Sequence, residues 1–281
     1  MKTRIISALV AIVLLAGVLY FHSTIVFNAA FSLIGCLMVY ELFHAYKKEK
    51  SWVFIGVSLL FPAYSAITPR LFVLSSGIYS FILVGFAYIC VCTAIIIIDS
   101  GKSRQFDLGR GFVLMLYTVL ISVSVFSIAY IEVMDIRLGL YNVICSLCAA
   151  WLADSGAYFA GTFFGRHKLC PTISPKKTVE GLIGGILSNA LIMMLAGFII
   201  SKIDSGLAPN YIILAAAGVL GAVLGLIGDL LASLVKRQCG IKDYGNIMPG
   251  HGGALDRFDS VVFVAPAMAL MLTRLSFFLA L

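Results

Sequence analysis

From Leu71 to Ile98 the chain runs LFVLSSGIYSFILVGFAYICVCTAIIII without one charged side chain. Few folds accept a stretch that long and that apolar. In a bilayer, roughly 20 apolar residues cross as a helix, with the backbone polar groups bonded inside the segment. Composition points the same way. The 281 residues are 61% hydrophobic and 12% charged, where soluble domains carry about 25% charged residues. The apolar runs are too long for barrel strands and do not alternate, which argues against an all-β protein. The expected fold is all-α: a polytopic integral membrane protein with about nine transmembrane helices. They are placed near 5–21, 24–45, 52–68, 71–98, 111–131, 138–165, 180–201, 211–235 and 258–279. We expect one polytopic membrane domain over 1–281, with 1–137 mainly scaffold and 138–281 carrying the chemistry.

The N-terminal MKTR followed by an apolar run has the outline of a secretory leader. No small-x-small cleavage site follows VLYFHST, and further spans come after it, so it reads as the first membrane helix. The seven cysteines suggest neither a disulfide framework nor a zinc site. Cys145 and Cys148 sit mid-span and read as packing residues.

Charge sets the orientation. With the N-terminus inside, 16 of the 20 lysines and arginines fall in cytoplasmic loops. Only Arg70, Arg137, Lys202 and Arg274 fall outside. That asymmetry obeys the positive-inside rule and needs an odd number of spans, leaving the C-terminus outside. The net charge of +7 is therefore mostly a topology signal with attraction to anionic lipid. No nucleic-acid partner is expected.

Three cytoplasmic-side stretches exceed what topology requires. The first is WLADSGAYFAGTFFGRHK, 151–168, where Asp154, Tyr158, Gly161 and Gly165 share one helix face. An acid inside a span faces a polar cavity or bonds to a neighbouring helix, and the glycines permit close helix packing. The second is ISPKKTVEGLIGG, 173–185. Pro175 can start a helix there, with Ser174 or Thr178 as its cap and Glu180 in its first turn. Lys176 and Lys177 beside helix-start amides make either an anion site or an ordinary basic loop. The third is GLIGDLLASLVKRQCGIKDYGNIMPGHGGALDRFDS, 225–260. Asp229 and Ser233 form an i, i+4 pair, with Lys236 three residues on. Asp256 and Asp259 are expected on one face of the last helix. Gly250, Gly252 and Gly253 allow close backbone approach.

Aspartate oxygens suit a hard cation such as Mg²⁺, which also binds substrate phosphates. Lysine and arginine neutralise phosphate charge. Together they read as a site for a metal-polyphosphate at the cytoplasmic face. The competing reading for any one stretch is a salt-bridged loop. No Walker A and no dinucleotide fingerprint is present.

The third stretch resembles the signature of phosphatidate cytidylyltransferases, also called CDP-diacylglycerol synthases. That pattern runs S-x-x-K-R, then K-D-x-G, then an apolar residue and P-G-H-G-G-x-x-D-R-x-D. Ser233, Lys236, Arg237, Lys242, Asp243, Gly245, Pro249, Gly250, His251, Gly252, Gly253, Asp256, Arg257 and Asp259 fit it. DSGAYFAGTFFGRHKLCPTISPKKTVEG is similar to the family's second region, with Ser155 where the common form has Thr. The resemblance covers about 140–281 well. It implies that CTP and phosphatidic acid give CDP-diacylglycerol and pyrophosphate, with Mg²⁺, at the cytoplasmic side of the membrane, in a homodimer. It assigns Asp229 and Asp256 to the metal, with Asp259 and Asp154 as further candidates. Lys176, Lys177, Lys236, Arg237, Lys242 and Arg257 become candidates for the triphosphate or lipid phosphate. Ser233, Gly252 and Gly253 join the substrate site, and His251 orients the loop or a phosphate. Two alternatives are a CTP-dependent lipid kinase, which would release CDP, and a secondary transporter for an anionic solute, for which no internal repeat is visible.

Overall fold

The computed structural model describes residues 2–46, 51–72, 74–102, 107–247, 250 and 252–280. The described residues are mostly helical, with two short antiparallel ribbons and connecting loops. Packing sorts the chain into two compact units. The first is Met1–Met134 with Gln238–Phe258, and the second is Asp135–Arg237 with Asp259–Leu281.

The first unit holds α1 (Lys2–Tyr20), α2 (Ile25–Ala45), α3 (Trp52–Leu71), α4 (Leu74–Lys102) and α5 (Leu108–Met134). It also holds the loop after Gln238 and the one-turn α9 (Leu255–Phe258). α3 packs against α2, α4 and α5. Its contact with α2 is polar as well as apolar. Asn28 Nδ2 donates to Ala66 O at 2.7 Å, Ser32 Oγ to Ala63 O at 3.1 Å and Cys36 Sγ to Leu59 O at 3.3 Å. α3 also contains Pro62 and Pro69.

The second unit holds α6 (Gly139–Phe164), the β1 (Lys168–Cys170) and β2 (Ser174–Thr178) ribbon, and α7 (Val179–Ile203). It continues through β3 (Leu207–Pro209), α8 (Tyr211–Gln238, of which Gln238 joins the first unit), α10 (Val261–Leu272) and β4 (Phe278–Ala280). α6 and α7 lie along each other through small residues. A Cβ on Gly185 would stand 3.0 Å from Ala157 Cβ and 3.1 Å from Ala153 O. Asn189, fully buried on α7, donates to Ala149 O of α6 at 2.9 Å and to Gly218 O of α8 at 2.8 Å. One amide group thus ties three helices.

The expected spans lie where helices are found, but not all are alike. Among the described residues, seven helices are long and apolar enough to cross a membrane by length and composition: α2 through α8. The apolar stretch Ile6–Tyr20 of α1 and the whole of α10 are shorter. At 1.5 Å per residue, the 12 residues of α10 reach about 18 Å, less than a hydrocarbon core of about 30 Å. The single last helix expected over 258–279 is in fact α9, a turn at Asp259–Ser260, α10 and a terminal strand. Two short ribbons accompany the helices of the all-α fold. β1 pairs with β2, and β3 pairs with β4 in the register Leu207↔Ala280, Pro209↔Phe278.

The second ribbon shows how the second unit is ordered end to end. It brings the α7–α8 connection to the C-terminal tail. Arg137, before α6, reaches the same end, where Nη2 donates to Asp204 Oδ1 at 2.8 Å and Nε to Oδ2 at 3.3 Å. The β1–β2 ribbon and Lys236 therefore belong to the opposite end of these helices.

Candidate active site

α6, the β1–β2 ribbon, the start of α7 and the middle of α8 enclose a cavity of about 390 Å³. Its wall includes Asp154, Tyr158 and Gly161 of α6, Lys168, Lys176 and Lys177 of the ribbon, and Ala222 and Leu226 of α8. The helical spacing of Asp154, Tyr158 and Gly161 does place them on one wall. Gly165 lies beyond them as the cap of α6, with its N–H on Gly161 O at 3.1 Å.

Two side chains shape the ribbon. Glu180, in the first turn of α7, accepts from the amides of Arg166 at 3.0 Å and His167 at 3.2 Å, and its Oε1 lies 2.6 Å from His167 Nδ1. It fixes the chain as it leaves α6. Thr178 ends β2 and caps α7, its Oγ1 accepting from Gly181 N at 3.1 Å. Pro175 therefore does not open a helix. It lies in β2, where an edge strand tolerates its missing donor, and Ser174 lies there too. The result sets Lys176 and Lys177 immediately before a helix N-terminus, where backbone N–H groups and the dipole favour an anion.

Behind this wall, Lys177 Nζ forms an ion pair with Asp229 Oδ2 of α8. Both side chains are about three-quarters buried, so each carries a charge that needs a partner. Asp259 follows in the turn before α10 and is buried. Its Oδ1 accepts from Ser260 N at 2.7 Å and Ser260 Oγ at 3.3 Å. Burial pushes the Asp259 carboxyl up to about 7, the charges of Asp229 and Asp154 add to the rise, and Ser260 N–H and Lys236 oppose it. Asp154, Asp229, Asp259, Lys177 and Lys236 thus form one electrostatic cluster within the second unit. Gly228 makes the close approach possible, because a Cβ there would stand 2.4 Å from Asp259 O. Ser233 is buried one turn below Asp229, and Arg237 is exposed in the last turn of α8.

The remaining sequence candidates lie in the first unit. Lys242 and Arg257 are exposed. Asp256 Oδ2 accepts from Tyr244 N at 2.8 Å and Gly253 N at 3.0 Å, so it closes the loop on itself. Asp256 and Asp259 do not share a continuous helix, since α9 ends at Phe258. The glycines serve that loop. Gly252 has φ 88°, and a Cβ there would meet Asp256 Oδ2 at 2.9 Å. Gly253 lies against Glu41, 2.3 Å from a Cβ position to Oε2. His251 lies outside the described residues.

Among the described residues no group of three Asp, Glu, His or Cys side chains is placed to hold a metal ion by itself. Mg²⁺ commonly takes one or two carboxylates and completes its shell with waters and substrate phosphate. Asp229 and Asp259 are donors of that kind.

Two residues in this framework have no counterpart in the motifs. Asn189 is one. The other is Glu41 of α2, which is 3% exposed. Its Oε1 accepts from Ala254 N at 3.0 Å and its Oε2 from Leu255 N at 2.9 Å.

Fold and site define a polytopic helical membrane protein with a cleft that suits a polyphosphate: two lysines at a helix start, backed by carboxylates. The cytidylyltransferase family model matches residues 2–275, and the chain belongs to that family. It is 36% identical over 183 residues to a phosphatidate cytidylyltransferase of Staphylococcus haemolyticus, covering 60% of this chain and 68% of that protein. It is 39% identical over 175 residues to one of Staphylococcus aureus, covering 62% and 63%.

Proposed function

We propose that this chain transfers the cytidylyl group of CTP to phosphatidic acid, forming CDP-diacylglycerol and pyrophosphate. The cavity of the second unit carries the proposal, because it sets a lysine pair at a helix N-terminus beside Asp154, with Lys177 paired to Asp229. Family membership and the names of the Staphylococcus relatives support the same substrates. No observation favours the kinase or the transporter.

In this reading a phosphate oxygen of the lipid attacks the α-phosphorus of CTP, and the bond to the β-phosphate oxygen breaks. A phosphomonoester is already largely ionised at neutral pH, its second pKa being about 6, so no strong base is required. The protein positions the two phosphates and neutralises their charge. Lys176 and Lys177 take triphosphate oxygens, and Asp229 keeps Lys177 compensated until they arrive. Lys236 and Arg237 supply further positive charge to the substrates, Ser233 and Asp154 position them, and the resemblance adds Lys242 and Arg257 to the phosphate-binding residues. Asp229 and Asp259 are the residues that would hold Mg²⁺, which would supply charge neutralisation on the triphosphate. Asp256 holds the glycine-rich loop, and the resemblance adds it to the metal ligands. Sidedness and assembly are part of the same proposal: the cavity end faces the cytoplasm, the N-terminus is inside, the C-terminus outside, and the enzyme is a homodimer.

The discriminating experiment supplies purified protein, phosphatidic acid and Mg²⁺ with CTP labelled at either the α- or the γ-phosphate. Label should enter the lipid from the α-position only, with release of pyrophosphate. Lipid labelled from the γ-position would make the protein a kinase instead.

A further inference from the structure

We infer that Glu41 is a positioning residue for the proposed reaction: from α2 its carboxylate fixes the Gly253–Asp256 segment and so aims Asp256. The inference rests on the proposed function for its catalytic meaning and on geometry for the rest. A buried carboxylate in an apolar helix is costly unless it is bonded. Glu41 spends both oxygens on consecutive amides, Ala254 N and Leu255 N, 213 and 214 residues away. The loop is built around that carboxylate. A Cβ on Gly245 would stand 2.3 Å from Glu41 Oε1, and one on Gly253 2.3 Å from Oε2. Neither position leaves room for a side chain while Glu41 is in place.

The same segment makes the bonds of Asp256. Gly253 N, next to the amides that Glu41 holds, donates to Asp256 Oδ2 at 3.0 Å, and Tyr244 N, next to Gly245, donates to it at 2.8 Å. Two carboxylates are thus interlocked through one turn. Glu41 grips the outside of the turn, and Asp256 closes its inside. Loss of the Glu41 grip frees the two amides beside Gly253, and the direction of the Asp256 carboxylate is lost with them. No short motif reports this link, because the partners of Glu41 are backbone groups.

The test uses the full chain in detergent or nanodiscs with Glu41→Gln, which keeps the size but turns one oxygen into a donor facing another donor. Three readouts separate aiming from mere folding. Turnover per folded molecule should fall tenfold to a hundredfold, the scale for losing a partner that orients an active group. The Mg²⁺ requirement should rise, while the KM for CTP changes little. Amide exchange in peptides covering 243–258 should accelerate while α6 and α7 stay protected. Gly245→Ala, which pushes on the same carboxylate from the other side, should reproduce the defect. In the double variant the losses should not multiply, because both act through one group. Glu41→Asp should restore part of the activity. Unchanged exchange at 243–258 would overturn the grip whether or not the protein is a cytidylyltransferase. Faster exchange with ordinary turnover and ordinary Mg²⁺ dependence would overturn the aiming role. A wild-type protein without transferase activity but with the same exchange response would overturn the proposed function and, with it, the aiming role, and leave only the grip.

Discussion

Single carboxylates carry most of the chemistry assigned here, and their environments separate their tasks. Asp229 faces Lys177, Asp259 is buried beside it, and Asp256 closes a loop. Asp229→Asn leaves Lys177 uncompensated in a part-buried place and, on the proposed function, removes a carboxylate that would hold Mg²⁺. Turnover should fall by about two orders of magnitude, the scale of losing one electrostatic stabiliser, in protein that still runs as a folded species on gel filtration. Asp256→Asn keeps the shape of the loop but removes its charge. Activity should collapse similarly, with a raised Mg²⁺ requirement in what remains, and a folded variant with ordinary Mg²⁺ dependence would remove Asp256 from the metal site. Asp259 gives a pH signature. Its folded pKa is raised, so its contribution to stability is full below the ordinary carboxylate range and is lost as pH rises through about 7. In chelator-treated protein, thermal stability should decline between about pH 4 and pH 7, and Asp259→Asn should flatten that slope. An unchanged slope would show that another group titrates.

Elements decide where those carboxylates stand. The start of α7 depends on its cap, and Thr178→Ala should lower stability by about 1 kcal/mol while also loosening the ribbon that carries Lys176 and Lys177. Thermal unfolding in detergent measures the first effect and proteolysis between β1 and β2 the second. The α6–α7 seam depends on small residues, so Gly185→Val should destabilise by about 1–3 kcal/mol through overpacking. Much of this was legible in the sequence. Apolar runs such as 71–98 mark the helices because little else accommodates them, and the face shared by Asp154, Tyr158 and Gly161 follows from helical spacing. Other features left no such mark. KLC and SPKKT are too short to show strand alternation, so β1 and β2 read as loop, and Pro175 reads as a helix start. The break at Asp259–Ser260 contains neither proline nor glycine. It is held by Asp259 bonding to the next residue and by contact with Gly228, which only the packed chain supplies. Glu41 sits in MVYELFHAY as one acid in an apolar run, with its partners more than 200 residues on.

For the whole molecule, each unit by itself sorts its charge by end. In the second unit Arg166, Lys168, Lys176, Lys177 and Lys236 belong to the cavity end, while Arg137, Lys202 and Arg274 belong to the end that carries the β3–β4 ribbon. In the first unit Tyr46, Asp107, Arg110 and Cys239 interact at one end, whereas Arg70 and His22 bond to Glu132 at the other. Within each unit, residues that the sequence reading puts on opposite sides of the membrane lie at opposite ends. Single-cysteine variants labelled from the outside of intact cells should react at Ser205→Cys and not at Asn246→Cys, and the reverse pattern would invert the topology. The central claim is that the lysine pair of the β1–β2 ribbon holds the phosphates being transferred. Its most direct test is the rate at which α-labelled CTP yields labelled lipid, compared between wild type and Lys176→Ala/Lys177→Ala at equal amounts of folded protein. A loss of at least about a hundredfold per folded molecule is expected, with some fall in thermal stability because Asp229 loses the partner it has in Lys177. A double variant that turns over within a few-fold of wild type would contradict it.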